Sequence, residues 1–338
     1  MSGSRAVRIG ARPSPLSVAQ VELVTALFAE RGIRCEFTPI TTAGDTDRRH
    51  LTQIGGTGVF AQAVRSALAS GEVDLAVHSA KDLPTAPAPG LVVAAHPPRE
   101  DSADLLVGRT LASLAPEAGP VRIGTGSPRR EVQLRAWAQD NEVEIEVVPI
   151  RGNVGRRLDL VTSGEVDAVV LAAAGVRRLD LFTHNSSGFA VRGIVADVLP
   201  DQVMLPAPAQ GALALEVAES NTSVLNLVKD LDDPITSACV AAERALLSRL
   251  EAGCLAPVGA VARPTRVCGT SSDLTLSAFV GRTVGCSSDR GRSTATPDRV
   301  ELIRLEGRAD GADATALGTR LAEELLDRLG VTTLRSDS

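Results

Sequence analysis

The chain has 338 residues, a length that allows two or three domains, each with a buried core. Its net charge of −6 argues against general binding to nucleic acid or to an anionic membrane, so an anionic ligand must be held by locally placed arginines. The first ten residues lack the apolar core of a secretory signal, and the longest apolar run, 168–176, is too short to cross a bilayer. We therefore expect a cytoplasmic protein without a membrane segment.

The predicted elements begin with a strand, a turn and a helix, and this unit recurs later in the chain. Arg8-Ile9-Gly10 ends the strand, and Ser14-Pro15 supplies the N-cap and the first residue of a helix that ends at Gly32. The same order returns in Arg122-Ile123-Gly124 and Ser127-Pro128. The recurrence predicts a structural duplication.

A second pair of matching segments supports the duplication. Ser-Gly-Glu-Val-Asp occurs at 70–74 and again at 163–167, each time between a helical stretch and an apolar strand. Two such strand–helix–strand–helix–strand units predict two α/β lobes with mostly parallel sheets. Ligands bind beyond the carboxyl ends of such strands, so we expect the site in the cleft between the lobes, where helix N-termini favour an anion.

The rest of the chain predicts a lid and a third domain. The Gly-rich segment 41–58, present only in the first copy, is typical of a mobile lid. A strand at 212–217 crosses back to the first lobe, and a helix then runs from Asp233-Pro234 to about Leu250. Strands near 258–262 and 274–280 and a final helix near 312–329 complete an α+β domain.

These patterns set the predicted domain boundaries. We predict lobe 1 at 1–103 and 212–229, lobe 2 at 104–211, and a smaller C-terminal domain at 230–338. Segments 183–195 and 285–297 look like short insertions.

Lysine is rare, since only two of the 35 basic residues are lysines, Lys81 and Lys229. A lysine kept at the end of an apolar strand suggests a position where a guanidinium cannot replace an ammonium, although chance remains open. Asp82 is the only acid in the loop 78–84 and could protonate a leaving group and then stabilise a cation. It could also simply cap a turn or pair with Lys81. We interpret the nearby His78 as structural.

Arginines cluster at the strand-to-helix turns. A guanidinium binds a carboxylate or phosphate through two parallel hydrogen bonds. One cluster would be an ordinary solvated face, but several in an acidic protein predict a ligand with many anionic groups. The clustered residues are Arg12, Arg129, Arg130, Arg151, Arg156, Arg157, Arg177 and Arg178.

The five cysteines form no Cys-x-x-Cys pair and the four histidines are scattered, so we predict free thiols and no metal site. Cys35 and Cys239 are interpreted as buried small hydrophobes. Cys254 follows Gly253 on a predicted loop, where an accessible thiol could carry a covalent group.

Several of these segments, taken in order from Val7 to about Gly259, resemble the porphobilinogen deaminase (hydroxymethylbilane synthase) family. They are His-Ser-Ala-Lys-Asp-Leu-Pro at 78–84, Gly-Thr-Gly-Ser-Pro-Arg-Arg at 124–130, Arg-Gly-Asn-Val-Gly at 151–155, Leu-Pro-Ala at 205–207 with Gln-Gly at 210–211, and Leu-Glu-Ala-Gly-Cys at 250–254.

The resemblance implies two lobes that look like periplasmic binding proteins, a third domain, and a dipyrromethane cofactor joined to Cys254 by a thioether. It implies a monomeric transferase of tetrapyrrole (haem) biosynthesis that condenses four porphobilinogens head to tail, releases ammonia each time, and frees hydroxymethylbilane. No nucleic acid or membrane partner is implied. The alternative is a non-catalytic anion-binding or ligand-sensing protein on the same two lobes.

The resemblance also implies residue roles. Asp82 would assist loss of the amine and stabilise the cations that follow, supported by Lys81 and Ser79. Phe60 matches a lid aromatic that packs on the pyrroles, while Gln53 and Thr57 replace lysines that are common in the family's lid. The implied cofactor contacts are Ser79, Lys81, Ser127, Arg129, Arg130 and Gly152. The implied substrate contacts are Arg12, Ser14, Phe60, Arg151, Arg157 and Arg178.

Overall fold

The computed structural model describes residues 6–41, 58–115, 119–185, 188–252, 256–265, 273–284 and 299–334. The first lobe is built on a five-stranded sheet. Its strands are β1 (Val7–Ala11), β2 (Cys35–Pro39), β3 (Leu75–Ser79), β4 (Leu91–Ala95) and β12 (Leu213–Ala218), in the order β2-β1-β3-β12-β4. Its helices are α1 (Pro15–Ala29), α2 (Gly58–Ala69) and α6 (Thr222–Lys229).

The second lobe is built on a seven-stranded sheet. Its strands are β5 (Asp104–Val107), β6 (Val121–Gly124), β7 (Ile145–Val148), β8 (Ala168–Ala172), β9 (Phe182–Asn185), β10 (Gly188–Val191) and β11 (Ile194–Leu199), in the order β7-β6-β8-β5-β11-β10-β9. Its helices are α3 (Pro128–Asp140), α4 (Val154–Thr162) and α5 (Ala173–Arg178).

The predicted duplication is confirmed down to equivalent ion pairs. In the first lobe, the side chain of Asp74 accepts hydrogen bonds from the Arg8 backbone N (3.0 Å) and from its Nη2 (2.7 Å). In the second lobe, Asp167 accepts the same bonds from Arg122, at 2.8 Å from the backbone N and 3.0 Å from Nη2. Each aspartate ends a repeated Ser-Gly-Glu-Val-Asp motif, so the motif joins the helix before it to the first strand of its repeat, β1 or β6.

The prediction of mostly parallel sheets is only partly right. β1 is parallel to β2 and β3, and β6 is parallel to β7 and β8. β12 and β5 pair antiparallel with β3 and β8 because the chain crosses between lobes at 96–103 and returns at 200–212. The return of strand 212–217 to the first lobe is confirmed. The predicted insertion 183–195 contributes to an antiparallel hairpin, β9–β10, that extends the second sheet.

The third domain packs two helices on a three-stranded antiparallel sheet. Its strands are β13 (Val258–Pro264), β14 (Leu274–Val284) and β15 (Arg299–Ala309), and its helices are α7 (Pro234–Arg249) and α8 (Ala314–Leu329). The predicted start of α7 is confirmed, because the Asp233 side chain accepts a hydrogen bond from the Thr236 N at 2.9 Å. β15 was not predicted, since it is a half-exposed edge strand rich in charged residues.

Candidate functional site

The cleft between the lobes contains a cavity of about 1320 Å³. This exceeds the roughly 300–1,000 Å³ of an ordinary small-molecule pocket, so the cavity suits a large or extended ligand. Residues just beyond β1, β3 and β8 line it, together with the first turns of α1 and α4. The site therefore lies at the carboxyl ends of the strands, as the duplication predicts.

The lining of the cavity is strongly cationic. Asp82 is its one acidic residue within the described part of the chain, and Lys81 lies beside it. Two helix starts face the cavity, capped by the side chains of Ser14 and Asn153, and both contribute partial positive charge. The arginines of the lining are Arg12, Arg130, Arg151, Arg156, Arg157, Arg178 and Arg192.

The acidic loop is held at the end of β3 by a short 3₁₀ turn, Ala80–Asp82. The Ser79 Oγ accepts a hydrogen bond from Gln20 Nε2 at 2.8 Å, which ties the loop to α1. Ala80 is buried, whereas Asp82 is exposed toward the cavity. The backbone thus anchors the loop and leaves the carboxylate accessible to a ligand.

Lys81 is the first member of a hydrogen-bonded chain that leads into the second lobe. Its Nζ donates to Gln210 Oε1 at 3.2 Å, and Gln210 Nε2 donates to Asp104 Oδ1 at 2.9 Å. Burial lowers the pKa of Lys81 from 10.5 to about 8, although the charge of Asp82 opposes this shift. A nearby ligand carboxylate would therefore favour the charged ammonium.

Asp104 is fully buried at the end of that chain. Burial alone would raise the pKa of Asp104, but Arg129 and Arg130 outweigh it and hold that pKa well below its ordinary value. Arg129 Nη2 lies 2.8 Å from Asp104 Oδ2, and Arg130 Nη2 lies 2.7 Å from Oδ1. Asp104 thereby fixes the Arg130 guanidinium at the cavity wall.

Two further arginines, Arg157 and Arg178, are half-buried around the cavity. Burial lowers the pKa of Arg157 and that of Arg178 to about 10. Their guanidinium groups donate to backbone carbonyls, Arg157 Nε to Gly152 at 2.9 Å and Arg178 Nη2 to Gly211 at 2.7 Å. Gly211 has φ 88°, and a Cβ there would lie 2.3 Å from the Glu100 carbonyl oxygen, so the backbone that receives Arg178 requires glycine. Desolvated cations of this kind favour an anionic ligand.

The structure brings most of the predicted site residues together. Ser127 and Arg129 are not among the lining residues: Ser127 precedes α3 without a side-chain capping bond, and Arg129 faces Asp104 and the Leu205 carbonyl. Those that line the cavity are Arg12, Ser14, Ser79, Lys81, Asp82, Arg130, Arg151, Gly152, Arg157 and Arg178.

Four positions singled out from the sequence lie wholly or partly outside the described residues. Cys254, Gln53 and Thr57 are outside them, as are most of the predicted lid and the segment 285–297. Phe60 lies in α2, but its side chain is not among those described.

From the sequence, Gln210 and Arg192 were given no ligand contact, and Arg156 was placed only in the general arginine clusters. Gln210 bonds to Lys81, which is 129 positions away, so only the fold reveals that contact. Arg156 adjoins the predicted Arg157 on α4. Arg192 lies at the turn between β10 and β11 and pairs with Asp159 at 3.2 Å. Arg192 was not predicted because it lies in segment 183–195, which looks like an insertion in the sequence.

The described residues contain neither a cluster of metal-ligating side chains nor a helix that could cross a membrane. Histidine, cysteine, aspartate and glutamate side chains in those ranges form no group of three or more that could hold a metal ion. Each helix in the same ranges is too short or too polar to span a membrane.

Comparison with known proteins gives matches over nearly the whole chain. Residues 7–226 match the family model of porphobilinogen deaminase, dipyromethane cofactor binding domain, and residues 237–327 match porphobilinogen deaminase, C-terminal domain. The chain is 47% identical to porphobilinogen deaminase 1 of Streptomyces coelicolor over 324 residues, covering 95% of each chain. It is 43% identical to the porphobilinogen deaminase of Leifsonia xyli over 326 residues, covering 95% of this chain and 92% of the relative. The periplasmic aliphatic sulphonate binding protein SsuA from Escherichia coli, 14% identical, covers 73% of this chain and 70% of its own, with a TM-score of 0.37.

Proposed function

Because this chain belongs to the porphobilinogen deaminase family, we propose that it is a transferase that condenses four porphobilinogen molecules head to tail onto a dipyrromethane primer. Hydrolysis of the bond to the primer then releases the product, hydroxymethylbilane, whose hydroxyl group comes from water. One ammonia molecule leaves at each condensation. The observation that carries the proposal is the cavity in which, among the described residues, Asp82 is the one carboxylate and seven arginines surround it. Each pyrrole brings two carboxylates, which explains why an acidic protein concentrates cations at one place.

The cavity fits the dipyrromethane cofactor that the family model names. Arg130 Nε and Arg178 Nε are buried and lack hydrogen-bond partners within the described structure, so they offer unused donors to carboxylates. We assign the cofactor's carboxylates to Ser79, Lys81, Arg130 and the backbone at Gly152. When bound, the group supplies a nucleophilic pyrrole carbon that primes the chain.

Arg129 and Ser127 take a different place in the proposal from the one the sequence suggested. The buried Arg129 guanidinium bonds to Asp104 and to the Leu205 carbonyl, so it supports the cofactor through Asp104 and Arg130. Ser127 marks the start of α3. Attachment of the cofactor through Cys254 stays a prediction.

Asp82 is the proposed acid. In its protonated form its Oδ can donate a proton to the departing amine of porphobilinogen, whose carbon–nitrogen bond breaks. In its ionised form the same carboxylate lies beside the positive ring that remains. The exposed position of Asp82 toward the cavity permits both contacts. Arg12, Ser14, Arg151, Arg157 and Arg178 are the proposed contacts for the acetate and propionate groups of the substrate, with Phe60 on the pyrrole rings.

A cytoplasmic location and a monomeric state complete the proposal. Cys35 and Cys239 are free thiols, which fits a reducing compartment. Size-exclusion chromatography with light scattering should give the mass of one chain, and a stable dimer would contradict the monomer.

Intact mass and product analysis together test the function. Purified protein should be heavier than its sequence by two pyrrole units, and it should convert porphobilinogen to hydroxymethylbilane with four ammonia molecules per product. Cys254→Ser protein should lack the added mass. Unmodified protein that binds porphobilinogen without releasing ammonia would instead support the non-catalytic anion-binding alternative.

A further inference from the structure

A side chain of the third domain holds the loop that carries Asp82. Arg244 lies on α7, and its Nη1 donates to the carbonyl oxygens of Leu83 at 3.0 Å and Ala80 at 3.3 Å. Its Nη2 donates to the Pro84 carbonyl at 2.6 Å. One guanidinium therefore binds the backbone on both sides of Asp82, and it does so from another domain.

Among the described residues, the loop is also held by the Gln20–Ser79 and Lys81–Gln210 bonds given above, but neither of these bonds contacts the backbone that flanks Asp82. Its backbone N–H groups make a bond from Ala80 to the Ala212 carbonyl (3.0 Å) and a bond from Leu83 to the Ala80 carbonyl (3.3 Å). The Leu83 side chain packs in a small apolar cluster that includes Val240, one turn before Arg244 on the same helix. Both the polar and the apolar support of the loop therefore come in part from α7.

The same helix is fixed at the junction of the two lobes. Glu243, next to Arg244, is fully buried and pairs with Arg99 on the segment that crosses between the lobes, at 2.6 Å. The Glu243 carboxylate also accepts hydrogen bonds from the backbone N of Ala209 and of Ala262. α7 thus has a defined position relative to both lobes. The hydrogen bonds from Arg244 hold the loop in a fixed position relative to α7.

We propose that Arg244 is a positioning residue for Asp82, holding the acidic loop against the third domain through the three carbonyls around it. This rests on the role proposed above for Asp82. α7 ends at Arg249, five positions before Cys254. One helix therefore connects the acid to the segment predicted to carry the primer.

Three variants of the primer-loaded protein test the proposal. Arg244→Met removes the donors and keeps the length of the side chain, and Arg244→Lys keeps a charged donor. Arg249→Met is the matched control, because Arg249 lies on the same helix but bonds to the exposed Glu323 and to the Thr332 carbonyl. Primer content is checked by intact mass, backbone mobility by hydrogen–deuterium exchange, and chemistry by single-turnover ammonia release.

Arg244→Met should raise the exchange rate of peptides covering 79–84 at least tenfold while the α7 peptides stay unchanged. A catalytic group that is misplaced by about 1 Å can lose about 10²-fold in rate. Because Arg244→Met should let the Asp82 carboxylate move, ammonia release should fall tenfold to a hundredfold at an unchanged Michaelis constant. Arg244→Lys should recover part of both effects, and Arg249→Met should behave as wild type.

Normal loop exchange in Arg244→Met, or equally faster exchange along all of α7, would overturn the positioning role. If ammonia release is also normal in Asp82→Asn, the proposed function of Asp82 fails instead, whatever the exchange data show for Arg244.

Discussion

At the scale of the residue, substitution of Asp82 tests the proposed acid and charge-stabilising roles most directly. Asp82→Asn keeps the size of the side chain but removes both the proton donor and the negative charge. Each role typically accounts for about 10²-fold or more in rate, so ammonia release should fall by at least that factor. Asp82→Glu moves the carboxylate by one methylene and should retain partial activity. Single-turnover ammonia release on primer-loaded variants measures this, and a wild-type rate for Asp82→Asn would require another acid.

Lys81 gives a prediction about protons. Its pKa of about 8 in the ligand-free cavity means that part of the population is neutral at pH 8.5. A bound carboxylate favours the ammonium and raises that pKa, so binding at pH 8.5 should take up protons, and the uptake should vanish near pH 6, where Lys81 is already charged. The measurement is calorimetry of primer-free Cys254→Ser protein with a pyrrole that bears acetate and propionate groups but no aminomethyl group, in two buffers of different protonation enthalpy.

The control for that titration is Lys81→Met in the same primer-free background. It should bind the pyrrole diacid more weakly and with no proton uptake at pH 8.5. Equal uptake with and without Lys81 would assign the proton to another group.

Single residues could be predicted from sequence where a local motif marks them. Asp82 and Lys81 follow directly after an apolar strand, so their place beyond its carboxyl end follows from sequence alone. The buried partners could not be found in that way. No motif marks Asp104 in the sequence. Its side chain accepts hydrogen bonds from Arg129, Arg130 and Gln210, and these residues come close to it only in the folded chain.

At the scale of the element, the turn between β10 and β11 adds a cation, Arg192, to the cavity. Arg192 is about half exposed and already paired with Asp159, so it should contribute less than the buried arginines. Arg192→Ala should raise the Michaelis constant for porphobilinogen about two- to fivefold, a loss of less than about 1 kcal/mol. Arg328→Ala, which removes an exposed arginine paired with Glu324 on α8, is the control and should change nothing.

Steady-state kinetics at low ionic strength measures that effect, because salt screens an exposed contact. A loss as large as that of Arg178→Ala would show that Arg192 is a principal contact, contrary to the prediction.

Helices could be predicted from the sequence where apolar residues recur at helical spacing after a capping residue. The starts of α1 and α7 follow from Ser14-Pro15 and Asp233-Pro234. In the structure the side chains of Ser14 and Asp233 cap these helices. Strand direction was not predictable in the same way. β5 and β12 are mostly apolar segments like β8, so their sequences do not reveal their direction. They pair antiparallel because the chain crosses from one lobe to the other before each of them, which only the tertiary fold shows.

At the scale of the whole molecule, the buried ion pair Arg99–Glu243 lies where the third domain contacts the segment that crosses between the lobes. Breaking such a pair leaves an uncompensated charge and typically costs about 3–5 kcal/mol. Glu243→Gln should therefore lower the melting temperature strongly, since an amide cannot replace a carboxylate that also accepts from two backbone N–H groups. Asp167→Asn is the comparison, because its partner Arg122 is substantially exposed, and the loss should be much smaller.

Differential scanning calorimetry of the two variants decides that point. Equal shifts in melting temperature would mean that the domain junction is no more sensitive than the pair inside the second lobe.

The arginine-lined cleft leads to a prediction about the whole elongation sequence. The net charge of −6 repels an anionic substrate at long range, while the seven arginines that line the described part of the cavity attract it there. Each added pyrrole brings two more carboxylates, so a late chain carries more of them than seven arginines can bind one to one. Different arginines must therefore matter at different stages. Arg151→Leu should change which enzyme-bound intermediates accumulate, and anion exchange separates these by charge. A wild-type distribution with only a higher Michaelis constant would mean that Arg151 contacts incoming substrate alone and that the growing chain is held elsewhere.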